Sequence, residues 1–120
     1  KKGNNTKNRN WQIAQGSIIA NTGEKVENIH PIIIEGQGHT AISNVEAFSG
    51  GNGALTTVPE NQSWDYMLIR GKEKCTVTVW GSRMRNYVSK SPITIENKKA
   101  LIQFTGCIDK NENLYNYTSE

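Results

Sequence analysis

The sequence has few cysteines, few aspartates and no long apolar run. Its two cysteines, Cys75 and Cys107, do not have the spacing of a zinc site. Its two aspartates, Asp65 and Asp109, are far apart in the chain, so neither an acidic Ca²⁺ cluster nor a closely spaced carboxylate pair for glycoside hydrolysis is evident. No apolar run approaches membrane-spanning length, and no signal peptide is recognisable. We therefore expect no metal, no cofactor and no membrane partner.

Hydrophobic residues are also scarce for a compact globule. They make up 35% of the 120 residues, whereas Gly, Asn, Ser and Thr are plentiful. A chain of this length forms one domain, and the composition suits a thin structure with many corners. The net charge of +3 is mild, and aromatic residues do not alternate with a dense basic run. We therefore expect no nucleic-acid partner.

Three stretches of the chain share one plan. Residues 31–50, 66–85 and 92–111 each contain a short apolar strand, a charged residue, a Gly or Asn corner, a polar loop and a second apolar strand. The aligned apolar residues, two positions apart, are Ile32, Met67 and Ile93, then Ile34, Ile69 and Ile95. Because alternate side chains of a strand point to opposite faces, both sets should face the same side.

The residues that follow these strands fit the same alignment. The next position, on the opposite face, is occupied by Glu35, Arg70 and Glu96, and the chain then turns at Gly36, Gly71 and Asn97. A repeat of strand and corner without a helix predicts an all-β fold, a parallel β-helix of about four to five rungs. In such a coil the charged column alternates in sign, which favours this register.

The second strands of the repeat align less well than the first. Val77 and Val79 match Ile102 and Phe104 only after a slip of one residue. A β-sandwich, in which the repeat is a coincidence, is the alternative fold.

The units at 31–48, 66–84 and 92–108, with segments such as HTAISNVEAF and KALIQFTGCI, resemble the right-handed parallel β-helix superfamily, the pectate-lyase-like fold. That superfamily includes pectate lyases, glycoside hydrolases, and phage tailspikes and appendages. The resemblance therefore implies a fold but not one particular activity.

The repeat divides the chain into three parts. Residues 1–10 are polar and basic and are expected to form a flexible lead-in. Residues 11–111 are expected to form the rungs, with a long loop at 49–65 of the kind that often carries recognition. Residues 112–120 depart from the repeat and are expected to form a C-terminal cap or tail. The apolar residues available for that cap are Leu114, Tyr115 and Tyr117. Since a coil has open ends, we expect a longer helix or an assembly.

Cysteine and histidine give weak signals for chemistry. Cys75 and Cys107 fall at different points around the predicted coil, too far apart for a disulfide, so both are expected to be free thiols. His30, beside Pro31, is interpreted as structural. His39, in a GQGH corner, is a minor candidate for catalysis.

Candidate binding residues fall at the end of the long loop and in the basic rung at 66–88. Trp64 and Asp65 combine a flat ring with a carboxylate, which suits sugar binding, although Trp64 could instead pack the loop onto the coil. In a lyase of the superfamily, cations neutralise an acidic sugar and Arg or Lys can remove a proton. The expected substrate-binding residues are Trp64, Asp65, Arg70, Trp80, Arg83 and Arg85. No residue is assigned to catalysis.

One face of the predicted coil carries outward aliphatic side chains. Ile33 and Leu68 fall there, with Thr94 in the third unit. Outward aliphatic residues on consecutive rungs indicate a covered face. The cover could be a loop, the first segment of the chain or a neighbouring subunit, and the phage spikes that the pattern resembles include homotrimers.

Two functions remain open for a β-helix, and a compact β-sandwich binding domain is a third. The first is the β-helical portion of a protein that acts on or binds polysaccharide, of lyase or glycoside hydrolase type, with its main active site inside or outside this chain. The second is a non-catalytic structural or receptor-binding module, such as part of a phage tailspike or appendage. Both imply an extracellular or virion-surface location, and the sequence does not decide whether the chain is an enzyme.

Overall fold

The computed structural model describes residues 11–20, 28–49, 63–85, 87 and 90–119. These residues form eleven β-strands and no helix, so the predicted all-β class is confirmed. The strands are β1 (Trp11–Ala20), β2 (Asn28–Ile29), β3 (Ile32–Glu35), β4 (Gly38–Ser49), β5 (Ser63–Trp64), β6 (Met67–Arg70), β7 (Cys75–Trp80), β8 (Arg83–Arg85), β9 (Ile93–Ile95), β10 (Ala100–Ile108) and β11 (Leu114–Thr118). The expected lead-in at 1–10 and residues 50–62 of the expected long loop lie outside the described residues.

The strands pair into three sheets. Sheet A contains β3, β6 and β9, all parallel. Sheet B contains β1, β4, β7 and β10 in parallel order, with β8 alongside β4 and β10 and with β11 antiparallel at one edge. The short strands β2 and β5 form a parallel pair of their own. The sheets are therefore mixed, but parallel pairing dominates them.

The register of sheet A is the one that the repeat predicts. Ile32 pairs with Met67, and Met67 pairs with Ile93, so the first predicted column is confirmed. Ile34, Ile69 and Ile95 form the second column. The column residues are buried except Ile95, whose exposed fraction is 38%, because β9 lies at the edge of this sheet within the described residues.

The slip in the second strands arises from connections of different length. Val77 pairs directly with Ile102, and Val79 pairs with Phe104. Since Ile69 pairs with Ile95 and Cys75 pairs with Ala100, the connection 96–99 is one residue shorter than its equivalent, 70–74. The strands therefore stay aligned while the corner absorbs the missing residue.

The predicted corners turn by two different means. Gly36 and Gly71 adopt φ angles of 106° and 112°, a region that favours glycine because it has no Cβ. Asn97 instead holds its corner through its buried side chain. Its amide Nδ2 donates to the backbone oxygen of Glu73 (2.8 Å), and its Oδ1 accepts from the backbone N–H of Lys99 (3.0 Å).

Besides the corners, sheet B has a bend that runs across its strands. Ser43 and Thr105 both pair with Trp80, so the next residues, Asn44, Gly81 and Gly106, lie side by side. All three have left-handed φ angles, of 55°, 59° and 65°. The sequence analysis did not predict this bend, which separates β7 from β8.

The core lies between sheets A and B and is built from the inward side chains of their strands. Phe104 packs edge-on against Tyr66 (ring centroids 6.2 Å apart) and against Tyr115 of β11 (5.8 Å). Tyr115 and Tyr117 are partly buried against this core, so β11 covers the last parallel strand of sheet B. Leu114, grouped with them in the expected cap, is instead exposed.

Two expectations about side chains can also be compared with the structure. Cys75 and Cys107 form no disulfide, as predicted, and both are buried. Leu68 has an exposed fraction of only 6% in the single chain. The chain itself therefore covers this outward residue, and its burial gives no reason to invoke a neighbouring subunit.

Candidate functional site

The six residues expected to bind substrate lie in several places. Trp64 belongs to β5, and its side chain lies outside what the structure describes. Asp65 follows it at the entrance to sheet A and is fully buried. Arg70, at the opposite end of that sheet, donates from Nε to Glu35 Oε2 (2.8 Å), which is one half of the predicted charged ladder.

The other three expected residues lie in sheet B, on either side of its bend. Trp80 ends β7 and is exposed. Arg83 and Arg85 follow the bend on β8. The Nε atom of Arg85 lies 3.4 Å from Oε1 of Glu46. They border a small pocket of about 50 Å³, whose remaining lining residues are Ile108, Asp109, Lys110 and Glu112. This pocket has mixed charge and is too small for a sugar ring.

Asp65 has a partner that the sequence analysis did not assign to it. His30 Nδ1 and Asp65 Oδ1 share a hydrogen bond of 2.7 Å, and the imidazole keeps 18% of its surface exposed. Burial raises the pKa of the Asp65 carboxyl above its ordinary value of 3.8, although hydrogen bonds from Thr94 and His30 oppose this rise. The pair joins the residues before β3 to those before β6, and its carboxylate fixes the orientation of the imidazole.

A larger polar surface covers the outward side of sheet B before the bend. We call it the outer face, and it has three rows of paired residues. These rows are His39, Thr76 and Leu101; Ala41, Thr78 and Gln103; and Ser43, Trp80 and Thr105. The residues between them, such as Ile42 and Val79, point into the core and fix the orientation of the rows.

The outer face combines an exposed ring with hydrogen-bonding groups. Trp80 has an exposed fraction of 44% and lies between a serine and a threonine. His39 Nε2 and Thr78 Oγ1 share a hydrogen bond of 2.6 Å, which orients both side chains along the face. Such a strip can stack a flat apolar surface and can exchange hydrogen bonds with hydroxyl groups.

Two grooves run along this face. The one at the start of β7 has a volume of about 520 Å³ and is lined by Gly38, His39, Lys74, Cys75, Thr76, Lys99 and Leu101. The second has a volume of about 260 Å³ and continues from Thr76 and Leu101 to Thr78 and Gln103, where it reaches the end of β11. The shared residues make the two grooves one continuous depression.

Two negative findings concern the part of the chain that the structure describes. No group of three or more His, Cys, Asp or Glu side chains is placed to hold a metal ion. No helix there has the length and apolar character needed to cross a membrane. Comparison with protein-family models, curated proteins and solved structures gave no match for this chain.

Proposed function

We propose that the chain is a section of a right-handed parallel β-helix of about four rungs. Three columns support this: the aligned first strands of sheet A, the paired second strands of sheet B, and the bend of three left-handed residues. Each described coil would then pass through sheet A, a corner and sheet B before returning. Connections between parallel strands of one sheet are overwhelmingly right-handed, which gives the hand.

We further propose that this coil binds a polysaccharide on the outer face. The observation that carries the proposal is Trp80, an exposed indole aligned in a row with Ser43 and Thr105, one row beyond Thr78 and Gln103, which line the groove. A sugar ring offers apolar C–H groups to an aromatic face and hydroxyl groups to polar neighbours. A polysaccharide ligand implies an extracellular or virion-surface location.

The proposed role is binding without turnover by the described residues. His30 and Asp65 form a pair with the character of an acid–base couple, and they lie at the entrance to sheet A rather than on the outer face. A sugar held beside Trp80 would therefore not lie next to this pair. Of the functions that the sequence left open, we therefore propose the non-catalytic binding module.

The exposed apolar residues do not favour a large assembly interface. Ile95, Leu101 and Leu114 belong to three different strands in two sheets. Single exposed aliphatic residues are ordinary on protein surfaces. A homotrimer therefore has no specific support from the described surface.

The test of glycan binding uses a single variant and a matched control. Trp80→Ala should weaken binding to any polysaccharide that the protein binds by about tenfold or more, because it removes the stacking surface. Leu114→Ala removes a similarly exposed apolar side chain elsewhere and should leave binding unchanged. Pectin, alginate and neutral glycans form the panel, with titration calorimetry for binding and with assays for unsaturated and reducing-end products.

The outcomes separate the possibilities. Binding that depends on Trp80 and gives no product supports the proposal. Product formation would contradict the non-catalytic role, and equal binding by the wild type and Trp80→Ala would contradict the site.

A further inference from the structure

One end of the outer face carries two neighbouring lysines. Lys74 and Lys99 come directly before Cys75 and Ala100, which pair across β7 and β10. The strands that they precede are neighbours at the ordinary spacing of about 4.8 Å, so the two lysines begin side by side. Both side chains are exposed, and both line the groove of about 520 Å³ together with His39.

The two lysines form no close ion pair within the described residues, although Glu96 lines a neighbouring depression with Lys99. No aspartate or glutamate lines this groove, and neither lysine forms an ion pair with another described residue. Glu73, next to Lys74 in the chain, accepts a hydrogen bond from Gln37 Nε2 (3.0 Å). Like charges on neighbouring strands repel each other, so an anion held between them would relieve that repulsion.

We infer that this end of the groove binds an anionic substituent of the glycan, a carboxylate, sulfate or phosphate group. The inference rests on the proposed function, because the same ligand stacks on Trp80. The strand rises about 3.3 Å per residue, so Trp80 lies roughly 16 Å from Cys75 along β7. A ligand that reaches both ends must therefore be an oligosaccharide, with its acidic residue at the lysines and a ring at the indole.

The lysine pair can be tested with variants of equal charge. Lys74→Gln with Lys99→Gln removes both groups at the groove. Lys72→Gln with Lys90→Gln removes two exposed lysines that do not line this groove and serves as the control. The probes are pectin oligomers with and without methyl esters, dextran sulfate against dextran, inorganic phosphate alone, and a single-stranded oligonucleotide.

The expected result is a charge preference that depends on this pair. Wild-type protein should bind an acidic form about tenfold more tightly than its neutral counterpart at low salt, and added salt should reduce the difference. The groove variant should lose that difference, whereas the control should keep it. A preference for pectin without methyl esters identifies the anion as a carboxylate, and a preference for dextran sulfate identifies it as a sulfate. Binding of inorganic phosphate that depends on the two lysines identifies it as a phosphate.

Three results would overturn the inference. They are equal affinity for acidic and neutral forms, a preference that survives in the groove variant, and tighter binding of the oligonucleotide than of any glycan. If acidic and neutral forms bind equally but Trp80→Ala still weakens both, the anion site is wrong and the proposed glycan face stands. If no glycan binds at all, both proposals are wrong.

Discussion

Gly81 is the residue at which the bend of sheet B is most constrained. Its φ angle is 59°, and a Cβ added there would lie 2.5 Å from Oδ1 of Asn44 on the neighbouring strand. Gly106, in the same column, has a φ angle of 65° but no atom within 4 Å of an added Cβ. A substitution at Gly106 therefore tests backbone strain alone, whereas a substitution at Gly81 tests backbone strain together with a steric contact.

We predict that Gly106→Ala lowers the free energy of unfolding by about 1 kcal/mol and that Gly81→Ala lowers it by slightly more, because the exposed Asn44 side chain must turn away. The difference should shrink when Asn44→Gly is added to Gly81→Ala, because the contact is then removed. Urea denaturation of the four proteins would measure it. Equal losses for the two single variants would show that Asn44 does not crowd Gly81.

Asp65 predicts a specific pH dependence of stability. Because burial raises the pKa of this carboxyl in the folded protein, the folded state binds its proton at a pH where the unfolded chain has lost it. This contribution is present below the ordinary value of 3.8 and is lost as pH rises through the raised pKa. Asp65→Asn should flatten this decline, whereas Asp109→Asn should not.

Thermal unfolding followed from about pH 4 upward would measure that slope. An Asn at position 65 can still accept the hydrogen bond from His30, so the variant should fold. A slope that persists unchanged in Asp65→Asn would assign the pH dependence to another group.

At the scale of elements, β11 closes sheet B. It pairs antiparallel with β10, and Tyr115 packs edge-on against Phe104 in the core. Without this strand the outer edge of β10 would present unpaired backbone groups, which promote association between chains. The cap therefore contributes packing and also protects an edge.

We predict that Tyr115→Ala destabilises the fold by about 1–3 kcal/mol, since it removes a half-buried ring. Leu114→Ala, on the same strand but exposed, should change stability by no more than about 0.5 kcal/mol. Urea unfolding gives both values. If the two variants lose similar amounts of unfolding free energy, the Tyr115 ring is not the part of β11 that stabilises the fold.

The elements also show how far the sequence could lead. The register of sheet A was predictable because its apolar residues alternate regularly, as Ile32, Met67 and Ile93 do. The same alignment, extended backwards by two residues, places His30 opposite Asp65, so that pair could have been found. The register of sheet B was not, because connections of unequal length separate its strands from the aligned ones.

The candidate site was predictable only in part, for a related reason. Trp80 was among the expected residues, and it lies on the outer face. Arg83 and Arg85 are close to it in sequence, but the bend at Gly81 separates them from that face. Lys74 and Lys99 belong to different units, and only the pairing of their strands brings them together.

At the scale of the whole molecule, the account depends on parallel stacking. The parallel register of sheet A brings Ile32, Met67 and Ile93 into one buried column, and the parallel register of β4, β7 and β10 sets the outward rows of sheet B. If the strands paired otherwise, the groove, the lysine pair and the indole would not share a surface. Stacking is therefore the claim on which the proposed binding face rests.

Nuclear Overhauser contacts between backbone protons of β3, β6 and β9 test that stacking most directly. The account predicts the parallel pattern, with Ile32 beside Met67 and Met67 beside Ile93. An antiparallel pattern, or contacts that place these three segments in separate sheets, would contradict it.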